Sequence, residues 1–397
     1  MLRNSTLSAF RASDGVLESA AGRITRSITA THRRAFSYTA RQNAGIAHFT
    51  PASTPELTKL LESIREKIIL PSYIPPDQRR KIFSLKYEKK LQSDPITIEI
   101  DGEVIKFRYM NPFKEMPQTR RSVVSAVSQF TTDEDFANLR PLFEGIAYAK
   151  RKFGSDFYCK VLRTCGNKGK IYDVLDCARS VRRTGFKLDT SEKVNEALFH
   201  IQMKAFDSKW DEAETKRALR KAELVIELLQ DEGHIPAKAE DRRMLDGELP
   251  LYRDPMTLLA PLHIAAGFVV NNGDSEDVGL MLEKATDYAK DVIRVWPEGK
   301  SLTAVQPEKA YEMDNKMKYL AEPNKFFALC TPLLHGLDMA IKVVEPELAK
   351  QLLSRRNQLT ADLRAAKPDI SWRGESAAEK FYGDVDTMIT DLPEESQ

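Results

Sequence analysis

The chain has 397 residues, 42% of them hydrophobic and 30% charged, with a formal net charge of +2. That length accommodates two or three domains or one extended repeat array, and the composition is that of an ordinary globular protein. The small net charge conceals an asymmetry: residues 1–43 contain seven Arg, no Lys and only Asp14 and Glu18, residues 44–220 carry +8, and residues 221–397 carry −11.

Residues 1–43, rich in Arg, Ser, Thr and Ala and lacking an apolar h-region, have the composition of a mitochondrial presequence rather than a secretory signal. Arg34-Ala35-Phe36-Ser37 resembles a matrix-peptidase site with Arg two before the cut. The longer form, in which an octapeptide starting at Phe36 is then removed, would cut after Asn43. The mature chain is therefore expected to start at Ser37 or Ala44, in the mitochondrial matrix. No apolar run approaches the ~20 residues of a membrane-spanning helix. The nearest, Met256 to Val270, is broken by Pro261 and His263. Cys159, Cys165 and Cys177 stand six and twelve apart with no C-x-x-C and no His pair, which predicts buried reduced thiols rather than a metal site.

Residues 44–56 read as a linker, and residues 44–118 as an N-terminal extension. Leu57, Leu60, Leu61, Ile64 and Ile68 have helical spacing up to Pro71, and Arg79 to Leu91 reads as a short basic helix. The alternation in ITIEI-DG-EVIKFRYM, residues 96–110, with Asp101-Gly102 supplying two φ > 0 positions, predicts a β-hairpin. An isolated hairpin is marginal in water, so this one must dock on helices or on a partner. Residues 119–366 read as helix throughout. The expected segments are 120–130, 134–152, 155–166, 170–184, 191–207, 211–231, 255–271, 274–294, 307–320, 324–343 and 345–365. The charged loop 234–254 is a possible boundary or functional insertion. Residues 383–397, with five acids and no base, read as a mobile tail.

Within 155–189 two helices form a hairpin. Phe157, Tyr158, Val161, Leu162 and Cys165 face inward on the first; Ile171, Val174, Leu175, Ala178 and Val181 do so on the second. Asn167-Lys168-Gly169 is the turn, and Gly185 the left-handed residue that ends the second helix. This 35-residue unit resembles a pentatricopeptide repeat, with its Gly169-Lys170 opening and its Gly185-Phe186-Lys187-Leu188-Asp189 closing. Leu188 stands where the family usually has Pro. The family's first base-reading position falls on Cys159, where Asn, Ser or Thr is usual, while Asp189 matches the second. Residues 120–154 and 190–236 fit the pattern more loosely. The resemblance implies an all-α, right-handed α-solenoid of helical hairpins, here with a small N-terminal β-hairpin.

Lys150 to Lys187 holds eleven bases (Lys150, Arg151, Lys152, Lys160, Arg163, Lys168, Lys170, Arg179, Arg182, Arg183 and Lys187) against three acids. Local excess charge of this kind is what a phosphate backbone attracts. Arg179, Arg182 and Arg183 share one face of the second helix, away from the apolar stripe, and Tyr172 and Phe186 are the candidate stacking aromatics. The second helix faces outward in the pentatricopeptide family, so the pattern favours phosphate contact with folded RNA over base reading.

No catalytic constellation stands out. CGNKGK at 165–170 fails the phosphate-loop pattern, and His48, His200, His234, His263 and His335 lack ligand spacing. These readings converge on a non-enzymatic structural protein of a fungal-type mitochondrial ribosome, provisionally its large subunit. It would bind ribosomal RNA and neighbouring ribosomal proteins and need no cofactor or small-molecule substrate. The alternatives are a free pentatricopeptide-type RNA factor, for which base-reading repeats are too few, and a respiratory-complex assembly factor, which would not need the basic cluster.

Overall fold

The first helix, α1 (Pro55–Ile64), starts where Thr54 Oγ1 accepts the Leu57 amide at 3.2 Å and Pro55 fits the first turn. In this computed structural model residues 46–236, 239–367 and 372–390 are described, all within one contact unit, 45–397. The presequence assignment, with Arg34, Phe36 and Asn43, lies outside the described residues, as does the acidic end from 391. After α1 the chain makes a π-helical turn and a 3₁₀ turn to Tyr73, then the short helices α2 (Pro76–Ile82) and α3 (Glu88–Ser93). The expected single basic helix is thus two pieces, broken where Phe83 and Ser84 leave helical geometry.

Strands β1 (Ile96–Ile100) and β2 (Glu103–Phe107) pair antiparallel with Ile96 opposite Phe107. Asp101 (φ 52°) and Gly102 (φ 80°) form the expected two-residue turn. The hairpin docks internally: Ile105 and Phe107 share a small core with Ile46, Leu70, Ile74, Ile82 and Leu91. Arg65 pairs with Glu103 at 2.5 Å, and Asp101 Oδ2 accepts the Ile46 amide at 2.7 Å. Residues 46–54, expected as a linker, are pinned down. Ser53 donates its amide and hydroxyl to the buried Asp135 carboxylate, and the Thr50 amide donates to Asn138 Oδ1.

The helical region then runs through α4 (Thr119–Gln129), α5 (Asp133–Ala137), α6 (Leu139–Tyr148), α7 (Ser155–Asn167), α8 (Ile171–Arg179) and α9 (Val181–Thr184). It continues with α10 (Ser191–Asp207), α11 (Glu212–Leu228), α12 (Pro255–Asn271), α13 (Val278–Val295), α14 (Glu308–Glu312), α15 (Pro323–Val343), α16 (Pro346–Ala366), α17 (Trp372–Tyr382) and α18 (Val385–Met388). The expected helix 134–152 is divided because Pro141 lacks the amide that would carry a helix through from α5, so it sits in the first turn of α6. The expected helix 307–320 shrinks to α14 and a 3₁₀ turn, Lys318–Ala321.

These helices pack in a simple order. α1 lies on α4, α4 on α7, α7 on α10, α10 on α12, α12 on α15, and α15 on α17. A second row places α6 against α8 and α9, α8 against α11, and α13 against α16. Lys284 of α13 reaches Glu223 of α11 at 2.5 Å and joins the halves of that row. One apolar core runs between the rows from Ala47 to Ile389, and all four cysteines are buried and reduced, as expected.

α15 is long and apolar enough to cross a membrane by length and composition, contrary to the expectation that no apolar run approaches that length. Its burial by α12, α16 and α17 accounts for that composition. The loop 239–254 does not separate two units: Lys316 pairs with Glu248 at 2.5 Å and Leu249 donates its amide to Gln306. Residues 383–390, expected as the start of a mobile tail, are anchored to the core through Met388 and Ile389. Met388 is fully buried, and Arg356 and Arg364 donate to the carbonyls of Thr390 and Ile389.

Candidate nucleic-acid interface

The α7–α9 hairpin has the expected joints. Gly169 (φ 70°) closes its turn, and Gly185 (φ 67°) ends α9 in the left-handed conformation that glycine adopts without strain. Ile171, Val174, Leu175, Ala178 and Val181 form the buried stripe. The second helix is kinked at Ser180 (ψ 32°), and Thr184 Oγ1 donates to the Cys177 carbonyl at 2.7 Å across the kink. The departure from proline at Leu188 has a physical reason. Its buried amide donates to His234 Nδ1 at 2.9 Å, a bond that proline cannot make.

Both base-reading positions are closed. Cys159 is fully buried, and burial pushes its thiol up to about 12. Asp189 is held by buried Lys193, whose ammonium lies 4.9 Å over the Tyr158 ring. The two proposed stacking aromatics are also unavailable. Phe186 is fully buried against Phe143 and Tyr158, and Tyr172 is buried with its hydroxyl donating to Glu214 at 2.7 Å.

The eleven cations of 150–187 divide into two groups. Six have work inside the protein. Arg163 pairs with fully buried Glu196 at 2.8 Å and lies 3.7 Å from Glu192, so its charge is already neutralised. Lys168 caps α4 by donating to the carbonyls of Ser128 and Phe130 at 2.6 and 2.7 Å. Lys170 pairs with Asp133, and Lys187 donates to the Ile235 carbonyl at 2.7 Å. Arg183 meets Glu144 of α6 at 2.9 Å, and Arg151 touches the Met116 sulfur at 4.0 Å. The other five, Lys150, Lys152, Lys160, Arg179 and Arg182, are exposed and make no ion pair among the described residues. The sequence cluster is therefore about half structural.

The second row adds bases that sequence order had kept apart. Arg140 of α6 shares Glu144 with Arg183, its Nε at 2.9 Å, so two arginines from different helices meet at one carboxylate. On α11, Arg220 is exposed, Arg217 lies 4.7 Å over the Tyr172 ring, and Lys221 reaches Asp176 at 3.2 Å. The one available signal was the i, i+4 pair Arg140/Glu144, which does not by itself reveal its neighbour on α9. The resulting surface offers guanidinium groups that can chelate phosphate oxygens. Among the described residues no cluster of three or more His, Cys, Asp and Glu is placed to hold a metal.

Comparison with known proteins agrees with this picture at the level of the assembly. Residues 34–383 match the family described as mitochondrial ribosomal protein mS27. A Neurospora crassa protein named small ribosomal subunit protein mS27 is 36% identical over 355 residues, covering 85% of this chain and 89% of the relative. The relative's name places that protein in the small subunit, not the large subunit expected from the sequence. The chain belongs to the mitochondrial ribosomal protein mS27 family and is a structural, non-enzymatic component of the mitochondrial ribosome.

Proposed function

We propose that this chain is a matrix-side scaffold of the mitochondrial small ribosomal subunit and grips ribosomal RNA phosphates through its second helical row. The observation that carries the reading is the exposed, unpaired pair Arg179 and Arg182, beside Arg183 and Arg140 with Glu144 as their shared acid. Phosphate contacts of this kind fix position and carry no sequence information. That suits a subunit whose base-reading positions are closed. The two-row packing order supports a right-handed solenoid of helical hairpins with pentatricopeptide-like scaffolding, and residues 1–43 act as a removable transit peptide. The acidic half, 221–397, would then face neighbouring ribosomal proteins rather than RNA.

The test is sedimentation of native mitochondrial extract from cells expressing the full chain with the two unpaired arginines, Arg179 and Arg182, changed to Glu. The variant should fold normally and leave the small-subunit peak at moderate salt. Co-sedimentation equal to wild type would refute the phosphate role. A free RNA factor is disfavoured by the burial of Cys159 and the pairing of Asp189.

A further inference from the structure

Phe113 is the most exposed large apolar side chain in the described residues, at 95%. Its backbone is held in an ordered turn. Asn111 Oδ1 accepts the amides of Phe113 and Lys114 at 3.0 and 3.3 Å, Glu115 Oε1 accepts the Asn111 amide at 3.0 Å, and the Glu115 amide returns to the Asn111 carbonyl at 2.9 Å. The ring is therefore presented to water from a fixed base. An aromatic side chain is ordinarily worth about 1.5–3 kcal/mol when buried, a gain that Phe113 does not realise within its own chain.

The surroundings are basic. From Val104 to Val124 there are five bases and one acid, and that acid is Glu115, already engaged in the turn. Arg108, Lys114 and Arg121 are exposed without a counter-ion among the described residues. Met116 touches Arg151, and Tyr73 stacks on Tyr148 at 4.1 Å. The Met116–Arg151 contact sets the chain at Lys150 and Lys152, two of the free cations of the main cluster, beside this segment. An exposed ring in a basic segment is complementary to a polyanion that carries flat apolar faces.

We infer that Phe113 is a stacking platform for an unpaired base of ribosomal RNA, steered onto it by Arg108, Lys114 and Lys150. The site shares only its partner class with the phosphate-gripping surface, and uses none of Arg179, Arg182 or Arg183.

Two measurements test it. The full chain carrying a diazirine-bearing phenylalanine at position 113 is assembled into small subunits in vivo, and the isolated subunits are irradiated. The adduct should be to ribosomal RNA at an unpaired nucleotide. An adduct to a neighbouring protein, or none in subunits that contain the labelled chain, overturns the inference. In parallel, the mature chain is titrated with an in vitro transcript of the small-subunit ribosomal RNA. Phe113→Ala should weaken binding about tenfold and Phe113→Trp should restore it. Tm should not change, because the ring packs on nothing. Equal affinity of Phe113→Ala and wild type also overturns it. The R179E/R182E variant in the same titration separates the two sites: loss there with no loss at Phe113→Ala leaves the phosphate surface standing alone, and the converse leaves only the stacking site.

Discussion

Neutralising Arg179 and Arg182 together, as Arg179→Gln and Arg182→Gln, isolates the electrostatic claim from every structural one. Both side chains are exposed and neither has an ionic partner among the described residues, so no buried acid is stranded by the change. Their substitution should alter unfolding free energy by no more than about 0.5 kcal/mol. Each phosphate contact contributes about 0.7 to 0.9 to the slope of log K against log salt. Losing two should therefore make that slope shallower by about 1.4 to 1.8. The assay is equilibrium binding of the mature chain to small-subunit ribosomal RNA across a salt series, with thermal unfolding of the same samples. Glu144→Gln supplies a control of opposite sign. It releases both Arg140 and Arg183 from their shared carboxylate and should steepen the slope. A double variant with unchanged slope would show that these arginines are only solvated charge.

Three further outcomes follow from named contacts. Arg163→Ala leaves fully buried Glu196 without the guanidinium 2.8 Å away, and because Arg163 itself is 29% exposed the loss should be about 2–3 kcal/mol by chemical denaturation, well above any surface arginine. Gly336→Ala would place a methyl 2.5 Å from His263 Cβ, in the contact between α15 and α12. It should cost about 1–3 kcal/mol, and a Tm equal to wild type would contradict the packing. Burial pushes His335 down to about 4 and holds His263 well below its usual value, with His335 beside it as the second cause. Both rings are neutral in the folded state and titrate near 6.5 when unfolded, so the unfolded chain binds more protons as pH falls. Stability contributed here is complete above pH 6.5 and is lost between pH 6.5 and 4, about 3 kcal/mol for His335, which a series of melts across that window would read.

Much of the fold could be read from local pattern because its determinants are local. The strand alternation and Asp101-Gly102 set the hairpin, and Gly185 set the end of α9. Ser191–Asp207 and Pro255–Asn271 fell where periodicity and proline placed them. The failures are long-range. Residues 46–54 read as a linker because nothing near them shows that Asp135 and Asn138, some 80 residues on, supply their hydrogen-bond acceptors. The acidic residues 383–390 read as tail because Arg356 and Arg364, which hold their carbonyls, lie on another helix. The same limit left the basic cluster undivided. Arg163 and Arg179 are indistinguishable as letters, and only the position of Glu196 on α10 makes one structural and the other free.

The closing of the base-reading positions and the outward placing of charge have one cause. In a pentatricopeptide array the first helices of successive hairpins keep polar side chains open toward single-stranded RNA. Here the row from α7 to α15 has spent its polar groups on its own neighbours. Ser191 and Asn195 of α10 both bond the Tyr319 hydroxyl, at 2.9 and 2.7 Å. Gln202 of α10 meets His263 of α12 at 2.9 Å, and His263 meets His335 of α15 at the same distance, with Trp210 and Phe381 against the rings. Buried polar groups linked in this way fix the register of one helix on the next, and each would be costly to leave unpaired. A row committed to holding α10, α12 and α15 in register has no donors left for bases. Any RNA contact then falls to surfaces where cations remain unpaired, among them Arg179, Arg182 and Arg220 on the second row, Lys160 on α7 and the turn that carries Phe113. On this argument, opening the α10 row by Asn195→Ala or Gln202→Ala should weaken folding without creating sequence preference for RNA. A variant that gained base selectivity while staying folded would show that the polar row is still a reading surface.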